Sequence, residues 1–148
     1  MPFHPEGWQP KFYFFDNGVT RALWGTLHDA PNLSEKGRLF EQWILQEVIR
    51  FNDYHQKDWK LSFWRTSHGA EVDLLVSRGP HLLHAVECKF SRQPSLSDLS
   101  GLRSFHDRYP LVPCWIVAPV DNPFRLDFAH VVSLPYLLSE LKNEPHST

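Results

Sequence analysis

The stretch that decides the fold is Glu71-Val72-Asp73-Leu74-Leu75-Val76, together with Ala85-Val86-Glu87-Cys88-Lys89-Phe90 shortly after it. Both runs are mostly apolar, which is typical of strands inside a sheet. The turn residues Arg78-Gly79-Pro80 separate them and indicate two neighbouring antiparallel strands. Each run nevertheless carries charged side chains in its middle. Because a charge is costly in a dry interior unless it is paired or binds a metal, the two runs also suggest a functional site.

Alternation along these strands predicts which charges lie together. Residues two apart in a strand share a face, so we expect Asp73 to point away from Val72 and Leu74, and Glu87 and Lys89 to point the same way. Three charges then converge on one face. Two carboxylates and a lysine suit phosphodiester hydrolysis, in which oxygen ligands hold Mg²⁺ and the lysine serves the attacking water or the transition state. A structural ion-pair cluster is the alternative interpretation.

The rest of the chain supplies helices and further strands around this pair. The apolar spacing after Ser34, the expected N-cap, predicts a helix with one buried face, on which we expect Trp43 to be a core residue. The remaining core elements are expected at Trp59–Thr66, Ala70–Ser77 and Leu82–Phe90 as strands, Ser95 to about Asp107 as a helix, and Leu111–Ala118 as a strand. Outside this α-β-β-β-α-β core we expect a strand at Lys11–Phe15, a helical piece at Val19–Leu27, a strand near Ala129–Leu134 and a helix near Tyr136–Lys142.

Length and composition indicate one globular domain over residues 1–148, with irregular ends at 1–10 and 143–148. The chain is 42% hydrophobic with a net charge of −2, which gives no overall attraction to nucleic acid, so any polyanion site must be local. Its two cysteines, Cys88 and Cys114, have no metal-binding spacing, and we expect both to be buried and reduced. No apolar run approaches a membrane span, and we expect a cytoplasmic protein with no membrane contact.

Asp73, a hairpin spacer and then Glu87-Cys88-Lys89 resemble the motif of the PD-(D/E)XK nuclease superfamily. That resemblance implies an α/β fold with a restriction-endonuclease-like core, in which helices flank a central mixed sheet. It also implies that Asp73 and Glu87 bind Mg²⁺ or Mn²⁺, that the backbone carbonyl of Cys88 is a further oxygen ligand, and that Lys89 is catalytic. The implied substrate is nucleic acid, DNA rather than RNA, and cutting both strands of a duplex would suit a homodimer.

Two further features extend the expected site. Lys36-Gly37-Arg38-Leu39-Phe40-Glu41 is similar to the helix opening that supplies an extra metal-site glutamate in Holliday-junction resolvases, so Glu41 becomes the fourth site residue. A solvated helix position is the alternative for Glu41. Arg65 and Arg92 flank the motif strands and are candidates for phosphate contacts, although scattered surface charge is the commoner explanation.

The run from Lys11 through Val117 resembles an uncharacterised domain usually found C-terminal to AAA-type ATPases. No G-x-x-x-x-G-K-[ST] motif is present, so no nucleotide hydrolysis is expected, and an ATPase enters only as a partner. The chain departs from the nuclease pattern at Val72, which stands where that motif has proline. Three functions therefore remain open: a metal-dependent nuclease, a catalytically silent nuclease-fold module that binds nucleic acid or protein, and an assembly domain for an ATPase.

Overall fold

One mixed sheet organises the fold in the computed structural model, which describes residues 8–9 and 32–144. In chain order its elements are β1 (Trp8–Gln9), α1 (Leu33–His55), β2 (Lys60–Arg65), β3 (Glu71–Arg78), β4 (His81–Cys88), a 3-10 turn (Leu96–Leu99) leading into α2 (Ser100–Arg108), β5 (Cys114–Val117), β6 (Phe124–Leu126), β7 (Ala129–Val132) and α3 (Leu134–Lys142). The predicted α-β-β-β-α-β core, from α1 to β5, is confirmed. Within these residues no helix has the length and apolarity needed to cross a membrane.

The connections between strands explain why the sheet is mixed. Its spatial order is β1-β2-β3-β4-β5-β7-β6. Short turns join β2, β3 and β4, which therefore pair antiparallel. The longer crossover through α2 returns the chain in the same direction, so β5 pairs parallel to β4, and β7 pairs parallel to β5.

The helices cover the sheet in two layers. The apolar cluster under α1 and α3 includes Leu74, Val86 and Trp115, and the cluster under α2 includes Leu75 and Ile116. Alternate residues of the central strands thus feed opposite layers, as expected for a sheet buried on both faces. The layer that a site residue faces can therefore be read from the apolar cluster to which its neighbours on the strands belong.

Helix α1 begins two residues earlier than expected. The Asn32 side chain accepts a 2.8 Å hydrogen bond from the backbone N–H of Glu35, so Asn32 is the N-cap and the assignment of that role to Ser34 is wrong. The expected core position of Trp43 is also wrong, since this side chain is 42% exposed. Ile44 and Val48 are fully buried on the sheet side of the helix, which turns the neighbouring Trp43 away from the core.

Two short edge strands were not foreseen. Phe124–Leu126 forms β6 antiparallel to β7, and Trp8–Gln9 pairs with β2 inside the tail that we expected to be irregular. Both strands have three residues or fewer, so they exist through pairing with a neighbour and not through a pattern of their own. The strand expected at Lys11–Phe15 and the helical piece at Val19–Leu27 lie outside the described residues.

A buried polar group ties the end of α3 to the loop after α1. Lys57 is only 3% exposed, and its Nζ donates to the backbone carbonyls of Lys142 at 3.2 Å and Glu144 at 3.4 Å.

His84, also buried, accepts a 3.0 Å hydrogen bond from Trp115 Nε1 at its Nδ1 and contacts the Glu144 carboxylate through Nε2. That contact keeps the pKa of Glu144 below its ordinary value, against a smaller opposing effect of burial.

Glu144 should therefore contribute stability that depends on pH. A carboxyl group whose pKa is lowered on folding stabilises the native state above its ordinary pKa of 4.5, and this contribution disappears as the pH falls through the lowered value. We expect Glu144→Gln to reduce the free energy of unfolding at pH 7 and to cost progressively less below pH 4.5. Urea unfolding of both proteins at pH 7 and at a pH below 4.5 measures this difference in cost. The control is Glu140→Gln at an exposed position on α3, and an equal cost of Glu144→Gln at pH 7 and below pH 4.5 would contradict the expectation.

Gly101 permits α2 to lie directly on β3. A Cβ atom at this position would stand 1.9 Å from the carbonyl oxygen of Glu71, which is backbone and cannot turn aside. We expect Gly101→Ala to destabilise the fold by about 1–3 kcal/mol, the usual cost of overpacking. Gly37→Ala on α1 is the matched control, since outside the backbone of α1 no atom of the described residues lies within 4 Å of the added methyl group, and alanine is the better helix former. Equal unfolding free energies for the two variants would show that α2 can shift freely.

Candidate active site

The central feature of the site is an extra residue in β3. On β2, Ser62 pairs with Leu75 of β3. Two residues later Trp64 pairs with Val72, which lies three residues before Leu75. Two residues of β3 therefore lie opposite one residue of β2, which is the definition of a β-bulge. Asp73 is one of these two residues, so the first motif carboxylate is carried by an irregular backbone.

The bulge corrects one expectation about side-chain direction. Val72 and Leu74 were expected to share a face, but Val72 packs in the cluster under α2 and Leu74 in the cluster under α1. The extra residue shifts the phase of the alternation, since each residue inserted into a strand reverses the faces that follow. The prediction that side chains alternate regularly between the two faces of the sheet is therefore wrong around Asp73, the first carboxylate of the motif.

Asp73 is directed at the backbone of the next strand. Its Oδ2 accepts a 2.9 Å hydrogen bond from the backbone N–H of Cys88. The neighbouring pair in the register is Leu74 with Val86, which puts Asp73 level with Glu87. The Asp73 carboxylate is thus fixed against the peptide bond between Glu87 and Cys88.

Glu87 points toward the layer of α2. Its partner on β5 is Ile116, which belongs to the cluster under α2, whereas the adjacent Cys88 packs against the cluster under α1. Glu87 is partly buried as a residue, and its Oε2 atom is buried. A carboxylate oxygen at such a position has lost its water shell, so a nearby cation would stabilise its negative charge more strongly than in water.

Lys89 follows Glu87 onto the same side of the sheet. Its Nζ lies 3.2 Å from Oδ1 of Asp98, in the 3-10 turn that leads into α2. The lysine side chain is 48% exposed and that of Asp98 is 16% exposed. The ammonium therefore stands at the solvent boundary of the site, held by a carboxylate that is itself mostly covered.

Glu41 belongs to the opposite layer. It lies one helical turn before Ile44 and Leu45, which are buried against the sheet, and is itself partly buried. Its neighbour Phe40 contacts Phe90, just after β4, with ring centroids 5.4 Å apart. The start of α1 thus approaches the end of β4, but from the face away from α2.

The described residues do not contain a preassembled metal cage. Within residues 8–9 and 32–144, no three His, Cys, Asp or Glu side chains form a group that could hold a metal ion. Asp73, Glu87 and Glu41 are therefore not gathered as three ligands. What the two motif strands do bring together is the Asp73 carboxylate and the backbone of the Glu87-Cys88 peptide.

The two candidate arginines stand apart from this centre. Arg65 Nε contacts Glu71 Oε1 at 3.2 Å, and both side chains are about half exposed, at 54% and 46%. Arg65 lines an open groove of about 1200 Å³ between the β2–β3 turn and the end of α2. Arg92 is exposed in the loop after β4. Among the described residues, neither arginine pairs with Asp73, Glu87 or Lys89.

Asp98 is the site residue that the sequence reasoning missed. Two signals could have identified it. Ser95-Leu96-Ser97-Asp98 has the S-x-x-D spacing of a capping box, which predicts a fixed carboxylate at the start of a helix. The loop from Lys89 to Ser95 is also short enough to return that helix start to the end of β4.

Comparison with known proteins identifies a family without an assigned activity. No curated protein and no solved structure shows significant similarity to this chain. A family model described as a domain of unknown function, DUF4143, matches residues 36–137, which include Glu41, Asp73, Glu87 and Lys89. The match spans well over half of the 148 residues. The chain therefore belongs to the DUF4143 family of domains.

Proposed function

We propose that this domain hydrolyses phosphodiester bonds of a nucleic acid with the help of Mg²⁺ or Mn²⁺, with DNA as the preferred substrate. The observation that supports the proposal is the 2.9 Å hydrogen bond between Asp73 Oδ2 and the Cys88 N–H. It fixes one carboxylate beside the Glu87-Cys88 peptide, directly before Lys89 in the chain. Bulges commonly redirect side chains next to active sites, and Asp73 stands in one.

The oxygen donors fit a magnesium ion that keeps part of its water shell. Mg²⁺ is usually held by one or two carboxylates and keeps several waters, so it does not need three protein side chains. Asp73 and Glu87 would be the carboxylate ligands, with the Cys88 carbonyl as a further candidate. When bound, the ion would supply Lewis-acid polarisation of a phosphate oxygen. Glu41, on the other layer, would act at most through water.

The residues of the chain itself would have separate tasks in the reaction. In hydrolysis a water oxygen forms a bond to phosphorus, the ester P–O bond breaks, and the proton lost by the water balances the proton gained by the leaving oxygen. The Lys89 ammonium can donate a hydrogen bond to a non-bridging phosphate oxygen, where negative charge develops. Asp73, fixed by the Cys88 N–H, can orient the water.

A catalytically silent nuclease-fold module is the second candidate. It is favoured by the ion pair between Lys89 and Asp98 and by the lack of a three-residue metal group among the described residues. Under this proposal the carboxylates support the fold, and the domain binds a nucleic acid or a protein such as an AAA-type ATPase. The difference between the two candidates lies in metal affinity and turnover.

Cleavage assays with Mg²⁺ or Mn²⁺ on duplex, single-stranded and branched DNA test the first candidate. We expect Lys89→Ala to lower kcat by about 10²–10³-fold, as removal of one transition-state donor does. Lys60→Ala is the control, because Lys60 is exposed at the far end of β2, where it pairs with Ser77. Cleavage that survives unchanged in Lys89→Ala would have another origin, and the catalytic role would be withdrawn.

Calorimetric titration with Mn²⁺ separates the two candidates without any substrate. We expect saturable binding to the wild-type protein and its loss in Asp73→Asn, since the amide keeps the shape but removes the charge of the ligand. Asp53→Asn, an exposed position near the end of α1, controls for the change in net charge. Absence of saturable binding to the wild-type protein would favour the silent module.

A further inference from the structure

The contact between Lys89 and Asp98 is more restrained than an ordinary surface ion pair. Asp98 uses Oδ2 to accept a 2.8 Å hydrogen bond from the backbone N–H of Ser95, and its own N–H donates to the Ser95 carbonyl at 2.9 Å. These bonds leave Oδ1 turned toward Lys89 Nζ at 3.2 Å. The carboxylate therefore cannot follow the lysine if the lysine moves.

Packing fixes the turn that carries Asp98. The next residue, Leu99, is fully buried in the cluster under α2. Two residues further on, Gly101 brings α2 against the Glu71 carbonyl, where no side chain would fit. Asp98 is thus tied to the same strand, β3, that carries Asp73. A half-exposed lysine is held by a partner whose position the core determines.

We infer that Asp98 is a positioning residue, which holds the Lys89 ammonium on the α2 side of the sheet for the phosphodiester hydrolysis proposed above. The inference rests on that proposed function. A lysine has four rotatable side-chain bonds, and without a partner its ammonium would sample much of the surrounding solvent. Misplacement of a catalytic group by an ångström is costly, so a fixed partner contributes to kcat without touching substrate.

The appropriate variant is Asp98→Asn. Its amide oxygen can still accept the hydrogen bond from the Ser95 N–H, so the turn keeps its cap, while the amide nitrogen then faces the ammonium. The fold should therefore persist, which a thermal unfolding curve checks. Asp53→Asn again serves as the charge-matched control on α1.

The first measurement reads the contact alone. Nuclear magnetic resonance relaxation of the ε-methylene groups, in protein labelled with ¹³C-lysine, reports how ordered each lysine side chain is. We expect Lys89 to be more ordered than exposed Lys36 in the wild-type protein and to lose that difference in Asp98→Asn but not in Asp53→Asn. Equal order of Lys89 in the wild-type protein and in Asp98→Asn would overturn the inference, whatever the enzyme does.

The second measurement reads the consequence for turnover through a double-mutant cycle. We expect Asp98→Asn to lower kcat by about tenfold with KM retained, and the double variant with Lys89→Ala to be no slower than Lys89→Ala alone. A merely structural role would instead add its loss to that of Lys89→Ala, and additive losses would overturn the inference. If the wild-type protein cleaves no substrate while Lys89 order still depends on Asp98, the proposed function fails, and the positioning role is overturned with it.

Discussion

The pairing of β3 with its two neighbours is the constraint on which the rest of the structure depends. On the β2 side the strand carries one residue too many, and on the β4 side it remains in register at Leu74 and Val86. A strand cannot satisfy both neighbours without a local change of direction, which falls at Asp73. The hydrogen bond from the Cys88 N–H to Asp73 Oδ2 stabilises that change. This hydrogen bond therefore links the irregular part of β3 to β4 within the candidate site.

The two layers of helices contribute to the site in different ways. Helix α2 is held against β3 by the close approach at Gly101, and it carries the turn that holds Lys89. Helix α1 reaches the end of β4 through the contact between Phe40 and Phe90 and brings Glu41 from the other face. The sheet separates these contributions, and among the described residues no three metal-ligating side chains come together.

The sequence predicted the elements of the core because apolar periodicity and turn residues are local signals. It predicted the wrong face for Val72, because a bulge is a property of the pair: nothing in β3 alone tells that Phe63 is the only residue opposite Asp73 and Leu74. Strand β6 was missed for a related reason, since three residues have no periodicity and form a strand only beside β7.

For the candidate site, the sequence predicted that Asp73 lies beside the second motif strand, whereas the roles of the site residues stay predictions. The pairing of Asp73 with the Glu87-Cys88 peptide follows from adjacent strands, and the charges that identify it stand in apolar runs. Asp98 was missed because its contact depends on how α2 docks, which is a tertiary property. The metal, the substrate and the partners stay predictions.

The buried ammonium of Lys57 sets a limit on how far the domain can be shortened. Its acceptors are backbone carbonyls of Lys142 and Glu144, so no choice of side chain at those positions can replace them. Removal of the segment after α3 would take away the Glu144 carbonyl and leave the buried ammonium with one acceptor fewer, a more severe defect than the loss of a loose end. The segment just after the last helix therefore belongs to the autonomous folding unit, and a protease cut there would be expected to loosen the loop after α1, far away in the chain.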